Sequence, residues 1–184
     1  ARGAAAGTMR GMSDHDLPRP ILALGVISGT SMDGIDVALI ETDGGPAARP
    51  RAGATLPYDA ALTQALRALI ADPARAETSD LSALEAAVTD AHCDAALAFL
   101  ATQGVAPDAV ALAGLHGQTV LHRPERRLTM QLLDGARAAK RLGIDVVCRF
   151  RHADVAAGGE GAPLAPLYHA ARAIGLDGPV MTLN

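Results

Sequence analysis

Residues 25–36 place glycines, hydroxyls and carboxylates between two apolar runs, residues 21–27 and 37–40. Both runs are rich in β-branched and aliphatic residues, so the pattern predicts two strands joined by a tight turn. Glycines at the two ends of such a turn can present successive backbone N–H groups to a ligand, and Thr30 and Ser31 add hydroxyl donors. This set of donors suits a phosphate. The alternative is an ordinary Asp-Gly hairpin turn that binds nothing.

Two carboxylates accompany these donors. Asp33 and Asp36 would repel a phosphate on its own, but a carboxylate can hold the water shell of a bridging Mg²⁺ ion. Donors and acids together therefore indicate a magnesium nucleotide rather than a bare anion.

A second polar cluster follows an apolar run at residues 109–115, which predicts a buried strand. His116 and Gln118 would then lie at the carboxyl end of that strand, where α/β sheets commonly bind ligands. Both side chains can hydrogen-bond sugar hydroxyls or an acetamido carbonyl. A histidine that is satisfied within the protein is the alternative. His122 is interpreted as a loop residue, and the spacing does not favour a metal site.

Two further clusters come after another apolar run. Arg151 can direct two donors at a carboxylate or phosphate, and Asp154 can accept from hydroxyls or hold the arginine, although a weak surface ion pair would look the same. The glycine-rich residues 158–163 end at Pro163, which suits the first position of a helix whose free N–H groups could meet an anion. A plain flexible loop is the alternative there.

Composition limits the class of protein. The 184 residues are 49% hydrophobic and 20% charged, which suits one globular domain, and with 2% aromatic residues its core must consist of aliphatic side chains and alanine. The net charge of −4 and the absence of a basic stripe argue against nucleic-acid binding, and no run is long enough for a membrane span. Cys93 and Cys148 resemble reduced thiols of a cytoplasmic protein.

The order of elements predicts an α/β domain with a mixed central sheet flanked by helices. After the hairpin, strands are expected at residues 51–56, 109–115, 128–133, 145–150 and 179–183. Helices are expected up to residue 70 after an Asp59 cap, from 78–79 to about 102, at 135–142 and at 163–174. Residues 1–19 are expected to be a disordered extension or a cloning remnant outside the fold. The last apolar residues begin a strand without a turn, so residues 20–184 are interpreted as a truncated lobe.

Taken together, the motifs resemble those of the anhydro-N-acetylmuramic acid kinases, within the actin-like superfamily of sugar kinases and heat-shock ATPases. The resemblance covers about residues 22–184, in order, and rests on four stretches and a shorter segment, Thr129-Met-Gln-Leu132. The four stretches are Ser28-Gly-Thr-Ser-Met-Asp-Gly-Ile-Asp36, His116-Gly-Gln-Thr, Phe150-Arg-x-x-Asp154 and Gly158-Gly-x-Gly-Ala-Pro-Leu164.

The resemblance implies an actin-like (ribonuclease H-like) N-terminal lobe of a two-lobe kinase of peptidoglycan recycling. With ATP and Mg²⁺, such an enzyme opens the ring of 1,6-anhydro-N-acetylmuramate with water and phosphorylates it to N-acetylmuramate 6-phosphate. The ATP phosphates would then be held by Gly29, Thr30, Ser31, Met32, Asp33, Gly34, Ile35 and Asp36, with Asp33 linked to the metal through water. The sugar would be bound by His116, Gln118, Gln131, Arg151 and Asp154.

The resemblance also implies a homodimer for the full-length enzyme, and it places the catalytic aspartate and the second lobe beyond Asn184. The chain departs from the family pattern at Glu160, Arg149, His152 and Ala153, which puts details of substrate contact in doubt. The alternative function is a sugar- or nucleotide-binding domain that has lost catalysis.

Overall fold

Five strands form the central sheet of the part of the chain that the computed structural model describes, residues 20–45 and 47–182. They are β1 (Ile21–Ser28), β2 (Ile35–Thr42), β3 (Ala48–Leu56), β4 (Leu112–Leu115) and a short strand at Val146–Val147. The first three strands are antiparallel neighbours, whereas β4 runs parallel to both β1 and the strand at Val146–Val147. The sheet is therefore mixed, as the sequence predicts.

Alternation along β1 and β2 determines which face of the sheet is buried. Leu24, Val26, Val37 and Leu39 are each at most 3% exposed, while the residues between them point to the other face. The buried side chains meet a long helix that follows β3 and form the first core, listed here in part: Cys93, Ala96, Phe99, Leu100, Ala113, Leu115, Ala138 and Leu142. Burying one aliphatic side chain of this size stabilises the fold by roughly 1.5–3 kcal/mol.

Six α-helices accompany the sheet within residues 20–45 and 47–182: α1 (Ala60–Ile70), α2 (Pro73–Thr78), α3 (Ser82–Thr102), α4 (Gly135–Leu142), α5 (His152–Ala157) and α6 (Pro166–Ala173). Asp59 caps α1 as predicted, because its carboxylate accepts from the N–H of Leu62 at 2.9 Å. Arg137 on α4 makes a two-pronged ion pair with Asp90 on α3, with contacts of 2.8 and 2.7 Å. Helices α3 and α4 thus lie side by side below the sheet.

A second, smaller layer consists of a hairpin that is separate from the central sheet. Its strands are β5 (Gln118–Arg123) and β6 (Leu128–Leu132). The strand of the central sheet at Val146–Val147, which follows them in the chain, is therefore β7. The hairpin packs against α1 and α2 around a second core of eight buried residues: Met32, Leu66, Leu69, Ala76, Val88, Val120, Leu121 and Leu132. Because Val88 lies on α3, this helix contributes to both cores.

The predicted α/β class and most element positions are confirmed, but three boundaries are wrong. The helix expected from residues 78–79 begins at Ser82, because Ser79 adopts extended backbone, and residues 73–78 form the short helix α2, which the sequence analysis does not predict. The strand expected at 145–150 ends at Val147, since Arg149 adopts a left-handed conformation (φ 60°). The helix expected from Pro163 begins at Pro166, where proline fits because the N–H groups of the first helical turn have no acceptor within the helix.

Two smaller differences concern the ends of elements. His122 lies within β5 rather than in a loop, and its Nδ1 is 3.0 Å from the hydroxyl of Thr129 on β6. The strand expected at 179–183 is absent from residues 179–182, and Leu183 lies outside the described residues. The predicted disordered extension, residues 1–19, also lies outside them. Within the described ranges, no helix is long and apolar enough to cross a bilayer.

Candidate functional site

The predicted phosphate-binding turn, residues 29–34, joins the paired ends of β1 and β2. It is closed by a hydrogen bond of 3.2 Å from the N–H of Met32 to the carbonyl of Gly29. Met32 adopts a left-handed conformation (φ 54°), and its side chain is buried in the second core. Thr30, Ser31 and Asp33 are exposed, and the Ser31 hydroxyl donates to the Asp33 carboxylate at 2.9 Å. The turn therefore presents its polar side chains outward and anchors itself through an apolar one.

The second half of the turn leaves no room for a side chain at Gly34. A Cβ atom built there would lie 2.9 Å from the carbonyl oxygen of Leu56 and would clash with the Thr55 methyl group. Ile35 follows with its side chain in the first core, whereas Asp36 is exposed and accepts from the Thr55 hydroxyl at 2.5 Å. Met32, Gly34 and Ile35 can thus offer only backbone groups to a ligand.

A buried polar cluster lies beneath the turn. Ser28 Oγ is 2.8 Å from Gln118 Oε1, 3.2 Å from His92 Nε2 and 3.3 Å from the hydroxyl of Tyr58. The amide nitrogen of Gln118 donates to the carbonyl oxygen of Gly29 at 3.3 Å. Gln118 and His92 are 0% exposed, so their contacts with Ser28 are made inside the protein, whereas Tyr58 is half-buried.

His116 and Arg151 meet at the carboxyl ends of β4 and β7. The guanidinium Nε donates to His116 Nε2 at 2.8 Å, while His116 Nδ1 lies 2.9 Å from the carbonyl oxygen of Gly117. Because Arg151 can only donate and a carbonyl can only accept, the imidazole is neutral with its proton on Nδ1. Burial, and then the nearby guanidinium cation, lowers the pKa of His116.

The glycine-rich segment is held on both sides of Gly161. Its N–H donates to Asp154 Oδ2 at 2.6 Å, and its carbonyl accepts from Arg151 Nη1 at 2.6 Å. Arg151 and Asp154 do not form an ion pair with each other in the described structure. They instead hold the segment from two sides, so the alternative of an ion pair between Arg151 and Asp154 is wrong.

Two cavities lie near these residues. The first, of about 660 Å³, is lined mainly by apolar atoms between the exposed face of β1 and β2 and residues 162–165; Asp36, His116 and Arg151 border it. The second, the polar cavity, of about 730 Å³, has a lining that is about half polar and includes Glu85, Gln131, Arg149 and His152. Only the second matches the many hydroxyl and amide groups of a sugar.

Gln131 and His152 leave unused hydrogen-bonding capacity beside the polar cavity. Gln131 donates to the Thr129 hydroxyl at 2.8 Å, but its Oε1 has no partner among the described residues, and neither has His152 Nδ1. Burial, and then the Arg149 cation, lowers the pKa of His152. Buried polar atoms are rarely left unpaired, so these two mark a place where a ligand or water completes the site.

The predicted site residues thus fall into three groups. Thr30, Ser31, Asp33 and Asp36 are exposed at the turn; Gln131 borders the polar cavity; His116, Gln118, Arg151 and Asp154 bind other parts of the protein. Sequence reasoning missed His92 and Tyr58. The available signal was the position of His92 four residues from Val88 and from Ala96, on the buried side of α3.

A mixed sheet with helices against it, and a polar turn between its first two strands, define an α/β domain of the actin-like sugar-kinase class. Comparison with known families is more specific. The family model described as anhydro-N-acetylmuramic acid kinase matches residues 21–184. The chain belongs to this family.

Curated relatives agree with this assignment. An anhydro-N-acetylmuramic acid kinase of Rhizorhabdus wittichii is 49% identical over 169 residues, covering 89% of this chain and 46% of the relative. Kinases of the same name from Rhodopseudomonas palustris and Rhodospirillum rubrum are each 46% identical, covering 88% and 89% of the chain and 46% and 43% of the relatives. The chain thus spans about half the length of the curated relatives that it matches.

Proposed function

We propose that the complete protein containing this chain is an ATP-dependent kinase that opens 1,6-anhydro-N-acetylmuramate and phosphorylates it to N-acetylmuramate 6-phosphate. Water adds to C1, the bond from C1 to O6 breaks, and O6 takes the γ-phosphoryl group while ADP leaves. The observation that carries the proposal is an exposed hydroxyl- and carboxylate-bearing turn in a chain of this family. The acid and base of ring opening are not among the residues that we assign.

The turn at residues 29–36 is the proposed phosphate-binding element. Backbone N–H groups and the hydroxyls of Thr30 and Ser31 supply donors, which suit the charge that phosphoryl transfer must neutralise. A bound Mg²⁺ ion would supply charge neutralisation, and the exposed carboxylate of Asp33 suits its water shell. Asp36 is less available, since it already accepts from Thr55.

The polar cavity is the proposed sugar site. Its unpaired Gln131 Oε1 can accept from a sugar hydroxyl after a small side-chain rotation, and His152 can do the same or donate, depending on its tautomer. Arg149 borders the same cavity and suits the carboxylate of the lactyl group. His116, Arg151 and Asp154 would contribute indirectly, by fixing the glycine-rich segment; direct substrate contact by them and by Gln118 stays a prediction.

The first experiment tests the turn. In the complete protein, Asp33→Ala should reduce phosphorylation of the anhydro-sugar by at least about 100-fold without lowering the melting temperature, because charge-stabilising groups contribute several kcal/mol to phosphoryl transfer. Asp108→Ala, at an exposed carboxylate in the turn before β4, is the matched control and should keep full activity. Full activity of the Asp33 variant would contradict the role proposed for Asp33. If the wild-type protein forms no phosphorylated sugar, the proposed function itself is wrong.

A second variant tests the cavity. Gln131→Leu should raise the KM for the anhydro-sugar about tenfold and leave the KM for ATP unchanged, since one hydrogen bond to the sugar is lost. An equal rise in both KM values would contradict a sugar-specific role.

We place this reaction in cytoplasmic peptidoglycan recycling. We also expect the complete protein to be a homodimer, which size-exclusion chromatography with light scattering can check.

A further inference from the structure

The buried polar cluster beneath the turn has a role that neither the family motifs nor the cavities explain. It joins four elements: Ser28 at the end of β1, Tyr58 before α1, His92 on α3 and Gln118 at the start of β5. Ser28 is 3% exposed, and the rings of Tyr58 and His92 meet edge to face with centroids 5.9 Å apart. Burying this many polar groups is costly unless each finds a partner.

The direction of each hydrogen bond follows from its partners. His92 Nδ1 lies 2.8 Å from the carbonyl of Val88, so it carries the ring proton and Nε2 is left as an acceptor. The Gln118 amide nitrogen faces two carbonyls, those of Gly29 and Thr119, each at 3.3 Å, so its oxygen must face Ser28. The Ser28 hydroxyl therefore has two acceptors within reach, and Tyr58 can donate to it.

These bonds converge on one backbone atom of the turn. The carbonyl of Gly29 accepts from Gln118 and also from the N–H of Met32, the bond that closes the turn. Ser28 has a single hydroxyl proton, which it donates to Gln118 Oε1 at 2.8 Å and shares through the longer contact of 3.2 Å with His92 Nε2 on the buried side of α3. Burial lowers the pKa of His92 to about 4, so the ring stays a neutral acceptor at neutral pH.

We propose that His92 and Ser28 are positioning residues for the phosphate-binding turn, acting through Gln118 on the carbonyl of Gly29. The expected effect on nucleotide binding rests on the proposed function, whereas the expected effect on the position of the turn does not. Without the cluster, the turn would still form, because Met32 anchors it, but its first residue would lose a fixed position. Nucleotide binding should suffer more than the chemical step, since a mobile turn must be ordered at the moment of binding.

The kinetic test uses four variants of the complete protein. His92→Leu removes the acceptor, and His92→Gln retains a polar atom near the position of Nε2. We expect the KM for ATP to rise about five- to tenfold in His92→Leu and Ser28→Ala, the size of one lost buried hydrogen bond, and to stay within about twofold in His92→Gln. Cys93→Ala, at the next and equally buried position of α3, is the matched control and should leave this KM unchanged.

Amide hydrogen exchange of the peptide that contains residues 25–36 gives a readout independent of turnover. Exchange there should be at least about fivefold faster in His92→Leu than in His92→Gln or Cys93→Ala. Unchanged exchange in His92→Leu, or equal acceleration in Cys93→Ala, would overturn the inference. If His92→Leu fails to fold, Ser28→Ala decides by the same measurement, because it removes only the hydroxyl that holds Gln118, and unchanged exchange in this variant would overturn the inference. If the wild-type protein phosphorylates no sugar, the proposed function fails while the exchange result still decides this inference.

Discussion

At the scale of single residues, Arg151 shows how one side chain organises the carboxyl edge of the sheet. It donates to His116 Nε2 and to the Gly161 carbonyl at once, from a position between β7 and α5. Burial lowers the pKa of this guanidinium, but an arginine remains charged throughout the physiological range. Arg151 therefore joins a strand end to the glycine-rich segment and keeps a histidine neutral at the same time.

Arg151→Met should raise the pKa of His116. Burial is the larger cause of its lowered pKa, but the arginine cation adds to it, so removing the cation moves the pKa part of the way back toward the ordinary value. NMR titration of the histidine side chains, with His116→Gln to assign the resonance, measures this change. Arg149→Met is the matched control, because the Arg149 cation lowers the pKa of His152 instead. A His116 pKa that stays constant or falls would contradict the assigned contact.

At the scale of elements, the caps of α1 and α2 provide a matched pair. Asp59 accepts from the N–H of Leu62, whereas Asp72, at the same position of α2, makes no side-chain hydrogen bond to its helix. Asp59→Ala should lower the free energy of unfolding by about 1 kcal/mol, and Asp72→Ala should change it by less than about 0.3 kcal/mol. Urea denaturation monitored by circular dichroism measures both. Equal losses would mean that Asp59 stabilises α1 by charge alone.

The sequence predicted those elements whose signals are local. Apolar runs rich in β-branched and aliphatic residues indicated β1 and β2, the Asp59 cap indicated α1, and helix α4 occurs where it was predicted. Two predicted boundaries were wrong in the segment that follows the sheet. The left-handed conformation of Arg149 ends β7 early, and α6 begins at Pro166 rather than at Pro163. Neither the conformation of Arg149 nor the start of α6 produces a periodic hydrophobic pattern in the sequence, because both depend on how the chain turns after the sheet.

For the candidate site, the sequence indicated candidate residues by their chemistry but not how they are arranged. Gln118 and Arg151 were identified by chemical type, yet both bind the protein itself, because a buried side chain first satisfies the nearest backbone groups. His92 escaped notice because a single histidine in a helix rich in alanine carries no motif. Its contact with Ser28, which is 64 positions away in the sequence, is visible only in the structure.

At the scale of the whole molecule, the proposed phosphate-binding turn lies where the two cores meet. Its flanking residues Val26 and Ile35 belong to the first core, and Met32 at its centre belongs to the second. The second core also contains Leu66 of α1 and the hairpin residues Val120 and Leu132. The position of the turn therefore depends on how the hairpin layer packs, and not on the central sheet alone.

This dependence predicts different effects for the same substitution in the two cores. Leu66→Ala and Leu142→Ala each remove a buried leucine, 0% and 3% exposed, and each should lower the free energy of unfolding by about 2–5 kcal/mol. Only Leu66→Ala disturbs the core that holds Met32, so only this variant should also raise the KM for ATP, by about threefold or more. Urea denaturation and steady-state kinetics of the complete protein test both effects. If Leu142→Ala raises the KM equally at a matched loss of stability, the turn responds to overall stability and not to the core that anchors it.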